Sequence, residues 1–99
     1  MASRLTLQEY FQTLTNNVYF QPPANTRMSY PAIRYHRADI DTIYADDDPY
    51  HQERAYEVIV IDKNPDSPIV DEISKMSMCR YVRHYTADGL NHDVFVLYW

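Results

Sequence analysis

Gly89 is the only glycine in the 99-residue chain, and it directly follows Asp88 between two runs that read as strands. Asp-Gly is among the strongest two-residue hairpin signals. The flanking runs are Cys79 to Thr86 and His92 to Tyr98. If Asp88-Gly89 forms a two-residue loop, Tyr85 pairs with His92 and His84 with Asp93. A longer loop would flip the faces of one strand.

Upstream, Glu53 to Asp62 is dominated by Val, Ile and Tyr, with apolar residues on both faces at its centre. That pattern predicts a central strand covered on both sides. Val18-Tyr19-Phe20 is a short strand candidate stopped by Pro22-Pro23, which cannot donate to a ladder. Asn25 to Ser29 reads as loop. Tyr30 to His36 reads as a strand with Pro31 near its start or on an edge. Ile40 to Tyr44 is a further short strand candidate, and Ala45 to Tyr50 an acidic, proline-stopped turn.

Two helices complete the pattern. Thr6 and Glu9 have capping-box spacing, and Leu5 with Tyr10 could form a hydrophobic staple. Leu7, Tyr10, Phe11 and Leu14 recur at helical spacing, predicting a helix from about Leu7 to Asn16. Ser67 is a good N-cap and Pro68 suits the first helical position. Asp71 and Glu72 near the start and Lys75 near the end complement the macrodipole of a second helix over Pro68 to Ser77. The expected fold class is α+β in two layers. Two helices pack on a mostly antiparallel, twisted β-sheet with a C-terminal β-hairpin. Residues 1–99 read as one domain, without repeats or a linker.

A chain of this length should bury somewhat more than ~60% of its unfolded surface, enough for one modest core. Composition is that of a folded chain, 45% hydrophobic. Ten residues are Tyr, which suits surfaces dry on one side and wet on the other, and which also favours strands. The net charge of −5 argues against a nonspecific grip on nucleic acid. A lone cysteine, Cys79, precludes an intrachain disulfide, so cytoplasmic folding is expected. The N-terminal residues lack the apolar stretch of a signal peptide. No run approaches the ~20 apolar residues of a membrane span.

The sites that invite chemistry each have a plainer reading. Asp46-Asp47-Asp48 offers oxygen ligands for a hard cation, but has neither EF-hand spacing nor glycine, so a solvated loop is expected. His36, His51, His84 and His92 lack zinc spacing. Cys79 with His84 lacks the oriented, thiolate-favouring surroundings of a nucleophile. A single glycine rules out a glycine-rich phosphate loop. No cofactor or metal is expected, and the chain reads as a non-enzyme. A small metal-dependent enzyme and a monomeric module adding peptides to its sheet edge are the alternatives from other classes.

Several segments together resemble the tail-terminator (tail-completion) proteins of long-tailed bacteriophages and prophages. They are Val18 to Pro23, Tyr30 to Tyr35, Tyr44-Ala45-Asp46 with Pro49-Tyr50, Tyr56 to Asp62 with Asn64 to Ser67, and Tyr85 to Phe95. The likeness spans most of the chain in matching order and contains no catalytic signature. It implies an α+β fold and a hexameric ring of this chain at the head-proximal end of the tail tube. It implies contacts with the tail tube protein and the head-completion (stopper) protein, in the virion and, during assembly, the host cytoplasm. DNA would enter only as the genome passing through the lumen. A head-completion or other connector role is the neighbouring alternative. In such a ring Tyr30, Arg34, Asp46, Asp47, Asp48, Tyr50 and Trp99 are candidate intersubunit or partner contacts. The acidic loop would face a neighbour's Arg27, Arg34 or Arg37. Arg80 and Arg83, near Lys75 and His84, are candidate lumen-facing residues, with an ordinary solvated face or intersubunit salt bridges as the plainer alternative.

Overall fold

In the computed structural model, which describes residues 4–38 and 55–99, the chain forms α1 (Arg4–Leu14), β1 (Val18–Phe20), β2 (Ala32–Arg37), β3 (Ala55–Asp62), α2 (Pro68–Ser74), β4 (Cys79–Ala87) and β5 (Leu90–Tyr98). The five strands make one mixed sheet in the order β1-β2-β3-β5-β4. The fold is therefore α+β, with two helices and a five-stranded sheet. β1 runs parallel to β2, and the remaining neighbours pair antiparallel.

β3 lies in the middle of the sheet because both of its faces are apolar. Tyr56, Val58 and Val60 point to one face and Ile59 and Ile61 to the other, as strand periodicity requires, and none is more than 3% exposed. On the first face, Leu7 and Phe11 of α1 and Ile69 and Ile73 of α2 form one cluster with Ile33, Tyr35, Tyr56, Val58, Val60, Phe95 and Leu97. On the second face, Ile59, Ile61 and Val94 form a smaller cluster with Met28 and Leu90 packed against it.

Tyr35 sits at the centre of an aromatic group. Phe11 meets its ring edge-on at 5.2 Å, Phe20 lies at 4.9 Å and Tyr56 at 5.9 Å. Its hydroxyl accepts from Arg4 Nη1 at 3.1 Å and donates to Gln8 Oε1. The Arg4 guanidinium also lies 4.1 Å over the Phe20 ring.

These contacts account for a difference from the sequence expectation. α1 already includes Arg4, so Thr6 lies inside the helix and no capping box starts there. Leu5 is 62% exposed and staples nothing. Docking Arg4 on Tyr35 and Phe20 favours a helical turn that local capping signals do not report. α1 ends at Leu14, where the Thr15 N–H donates to the Phe11 carbonyl. α2 stops at Ser74 rather than Ser77. Pro68 opens it as expected, but the Ser67 hydroxyl makes no cap bond; it is buried without a partner. The strand expected over Tyr30 to His36 is Ala32–Arg37. The Pro31 carbonyl is instead taken by Thr15 Oγ1 and Asn17 Nδ2. The expectations for Ile40 to Tyr44 and Ala45 to Tyr50 lie outside the described residues.

At the C-terminal turn Asp88 and Gly89 have φ of +55° and +74°, the positive pair that a type I′ turn requires. Tyr85 stands opposite His92 and His84 opposite Asp93.

Candidate functional site

Among the described residues the sheet order gives β4 one neighbour, β5, and places it at the edge. Every residue from Arg80 to Ala87 is exposed, including Tyr81, at 49%, and Val82, at 45%. An edge strand presents unpaired backbone groups to other strands, and proteins blunt such edges with charged side chains and bulges.

The side chains on this edge are arranged by a bulge. The register slips between Tyr81 and Arg83, so Arg80 stands opposite Val96 and Arg83 opposite Val94. In an unbroken strand, residues three apart would point to opposite faces. The extra residue, Val82, brings both guanidiniums to the same face, that of Ile59 and Val94. On this face the Arg83 guanidinium lies 5.5 Å over the Tyr85 ring, and Tyr85 stacks on His92 at 4.7 Å and 12°. On the other face Tyr81 meets Phe95 edge-on at 5.3 Å, and its hydroxyl donates to Asp93 Oδ1 at 3.0 Å. His84 Nε2 and Asn91 Oδ1 share a hydrogen bond of 3.1 Å. Asn91 Nδ2 donates to the carbonyls of Asp62 and Lys63, tying the hairpin to the end of β3. No acidic residue occurs between Ser77 and Ala87, so the edge is cationic and aromatic on an acidic chain.

The other sequence candidates are dispersed. Arg34 shares a face with Arg83 through the cross-strand row Tyr19, Arg34, Ile59, Val94, Arg83. Two strands separate them, a span of roughly 14 Å at the usual strand spacing. Tyr30 is 38% exposed, before β2. Trp99 is half-buried against the main cluster and, with Tyr10, Lys75, Met76 and Ser77, lines an open cavity of about 310 Å³. Asp46, Asp47, Asp48, Tyr50 and His51 lie outside the described residues.

Burial against the main cluster pushes the Cys79 thiol above its ordinary pKa, which favours the unreactive thiol. Cys79 stands opposite Leu97, away from His84 opposite Asp93. His36 Nε2 lies 3.9 Å from Glu57, and Lys75 lies 3.5 Å from Glu72. Among the described residues no three His, Cys, Asp or Glu side chains gather as a metal site, and no helix is long and apolar enough to cross a membrane.

Sequence reasoning singled out Arg80 and Arg83 but not Tyr81, Val82 or Tyr85, which share their edge. The only signal was the run of large residues without a clean alternation, and it does not reveal a bulge. Comparison with protein-family models, curated proteins and solved structures gave no match to this chain.

Proposed function

We propose that the protein is a structural ring subunit of the tail-terminator kind. In this reading it caps the head-proximal end of a phage tail tube, stops tube growth and offers the surface for head-tail joining. The proposal rests on the segment likeness from Val18 to Phe95 and is supported by one observation above all. A nine-residue edge strand with exposed Tyr and Arg faces solvent on a chain of this size, and those residue types are enriched where proteins meet. Packing of both helices on one sheet face, as a two-layer domain with the β4-β5 hairpin at one edge, would leave that edge clear for a neighbour.

The mechanism is geometric. A head-to-tail interface that closes produces a ring, hexameric on the family likeness. One ring face matches the last tube ring. The other presents a different surface that accepts no further tube subunit and meets the head-completion protein instead. No reaction, metal or cofactor is involved, and DNA passes through the lumen without being read. Purified protein added to elongating tail tubes should stop their growth at substoichiometric amounts. Tubes that keep lengthening in its presence would overturn the reading.

A further inference from the structure

We infer that β4 is a docking edge for an extended strand of a different polypeptide, one that alternates acidic and apolar residues. The inference goes beyond the ring reading and does not depend on it. It starts from the backbone. The Tyr98 N–H donates to the Met78 carbonyl at 3.1 Å, and at the far end the Asp88-Gly89 turn closes on Ala87 and Leu90. Hydrogen-bonded and non-hydrogen-bonded pairs alternate along an antiparallel ladder. Counted inward from both ends, the peptide groups of Tyr81, His84 and Thr86 point away from β5, to the outer side of the edge. Among the described residues no strand takes them up.

The side chains divide by face. The bulge puts Arg80 and Arg83 on one face, opposite Val96 and Val94, and leaves Tyr81 on the other, opposite Phe95. β5 itself thus shows what a regular strand presents to this edge. Two residues, ~7 Å apart along the strand, stand against the two arginines, and the residue between them stands against Tyr81. With the same spacing on the outer side, an added antiparallel strand sets an acidic residue beside each guanidinium. Its intervening apolar residue lies beside the half-exposed Tyr81 ring. The arginines meet it in non-hydrogen-bonded pairs, where side chains stand closest. Arg80 has no hydrogen bond or ion pair among the described residues, and Arg83 engages only the Tyr85 ring. Charge and bulge keep an edge from pairing with any strand, and here they select by sign. Two β4 strands side by side would bring four arginines together, which like-charge repulsion opposes. Neither edge strand, β1 nor β4, contains an acidic residue, so among the described residues a second copy offers no matching edge.

The test is fluorescence anisotropy of labelled nine-residue peptides, the length of β4, titrated with the full chain. One peptide alternates Glu and Val, and a second alternates Lys and Val. A third is the Glu-Val peptide N-methylated at its valines, whose N–H groups would face β4, and a fourth is N-methylated at its glutamates instead. The Glu-Val peptide should bind at least about tenfold more tightly than the Lys-Val and valine-methylated peptides, and best at low salt. The glutamate-methylated peptide should bind like its parent. R80E/R83E should lose about tenfold or more for Glu-Val and prefer Lys-Val, whereas R80Q/R83Q should lose the first without gaining the second. Far-UV circular dichroism should show both variants folded, because the two side chains are exposed. No binding of Glu-Val to the wild type would overturn the inference, as would unchanged binding to R80Q/R83Q. Equal binding of the valine-methylated peptide would reduce the contact to surface charge and overturn strand addition. Light scattering of the wild type completes the test: oligomers that R80E/R83E dissolves would make a second copy the occupant and overturn the inference. Tube arrest is read separately. Arrest without peptide binding removes the docking edge and leaves the ring reading, and peptide binding without arrest does the reverse.

Discussion

At the residue scale, Gly89 shows how one position can hold a whole element in place. Its φ of +74° lies in the left-handed region, yet a Cβ built there meets nothing within 4 Å. The requirement is therefore one of backbone conformation and not of space. Gly89→Ala should cost about 1–2 kcal/mol from left-handed strain alone, without displacing any neighbour. A drop in the urea midpoint with an unchanged far-UV spectrum would check this. A loss of the β-sheet signal would mean that the turn also sets the strand register. Tyr35 is the opposite case, a residue fixed by its surroundings. Its ring is buried among three aromatic neighbours, while its hydroxyl finds Arg4 and Gln8. That hydroxyl explains how so polar a residue can occupy the core, since a buried polar group without a partner would be costly.

At the element scale, α1 is held by one stripe. Leu7 and Phe11 are fully buried four residues apart, whereas Leu5 faces solvent. Phe11→Ala should cost about 3–5 kcal/mol, the range for emptying an aromatic site in a packed core. Leu5→Ala should stay within about 0.5 kcal/mol of the parent. Chemical denaturation of the two variants side by side is the check. A large effect at Leu5 would show that the exposed side chain contributes to stability after all. β4 is the contrasting element. It contributes no buried side chain to the fold; only Cys79 is half-buried, against the main cluster, and every residue from Arg80 to Ala87 is exposed.

At the scale of the whole molecule, the response to alkaline pH follows in part from Tyr35, which is buried, and Cys79, which is half-buried. Burial raises the pKa of Tyr35, partly offset by Arg4, and burial raises that of Cys79. Each group holds its proton more tightly in the folded chain than in the unfolded one. Their contribution to stability is therefore complete below the unfolded values, about 8.5 for Cys and about 10 for Tyr. It is lost as pH rises through the higher folded values. The urea midpoint should fall between about pH 8 and pH 11, and Tyr35→Phe should make the upper part of that decline shallower. An equally steep decline in Tyr35→Phe would assign the loss to other groups.

Much of the fold was legible because it is written in local rules. Asp88-Gly89 specifies its turn through backbone dihedrals, Tyr56 to Ile61 specify a doubly buried strand through side-chain period, and Pro68 opens α2 because its fixed φ suits a first helical turn. Those signals act over a few residues and do not depend on distant partners. Sheet order, the parallel pairing of β1 with β2, and the early start of α1 depend on residues far apart in the chain, such as Arg4 with Tyr35. So does the gathering of Arg80 and Arg83 on one face, which needs the slip against β5. The amino-acid sequence by itself thus determined the Asp88-Gly89 turn, the doubly buried centre of β3 and the opening of α2, because period and turn chemistry are local. Only the tertiary structure decided which strand became the open edge and which charges share it, because a strand's neighbours and register are set by packing across the whole sheet.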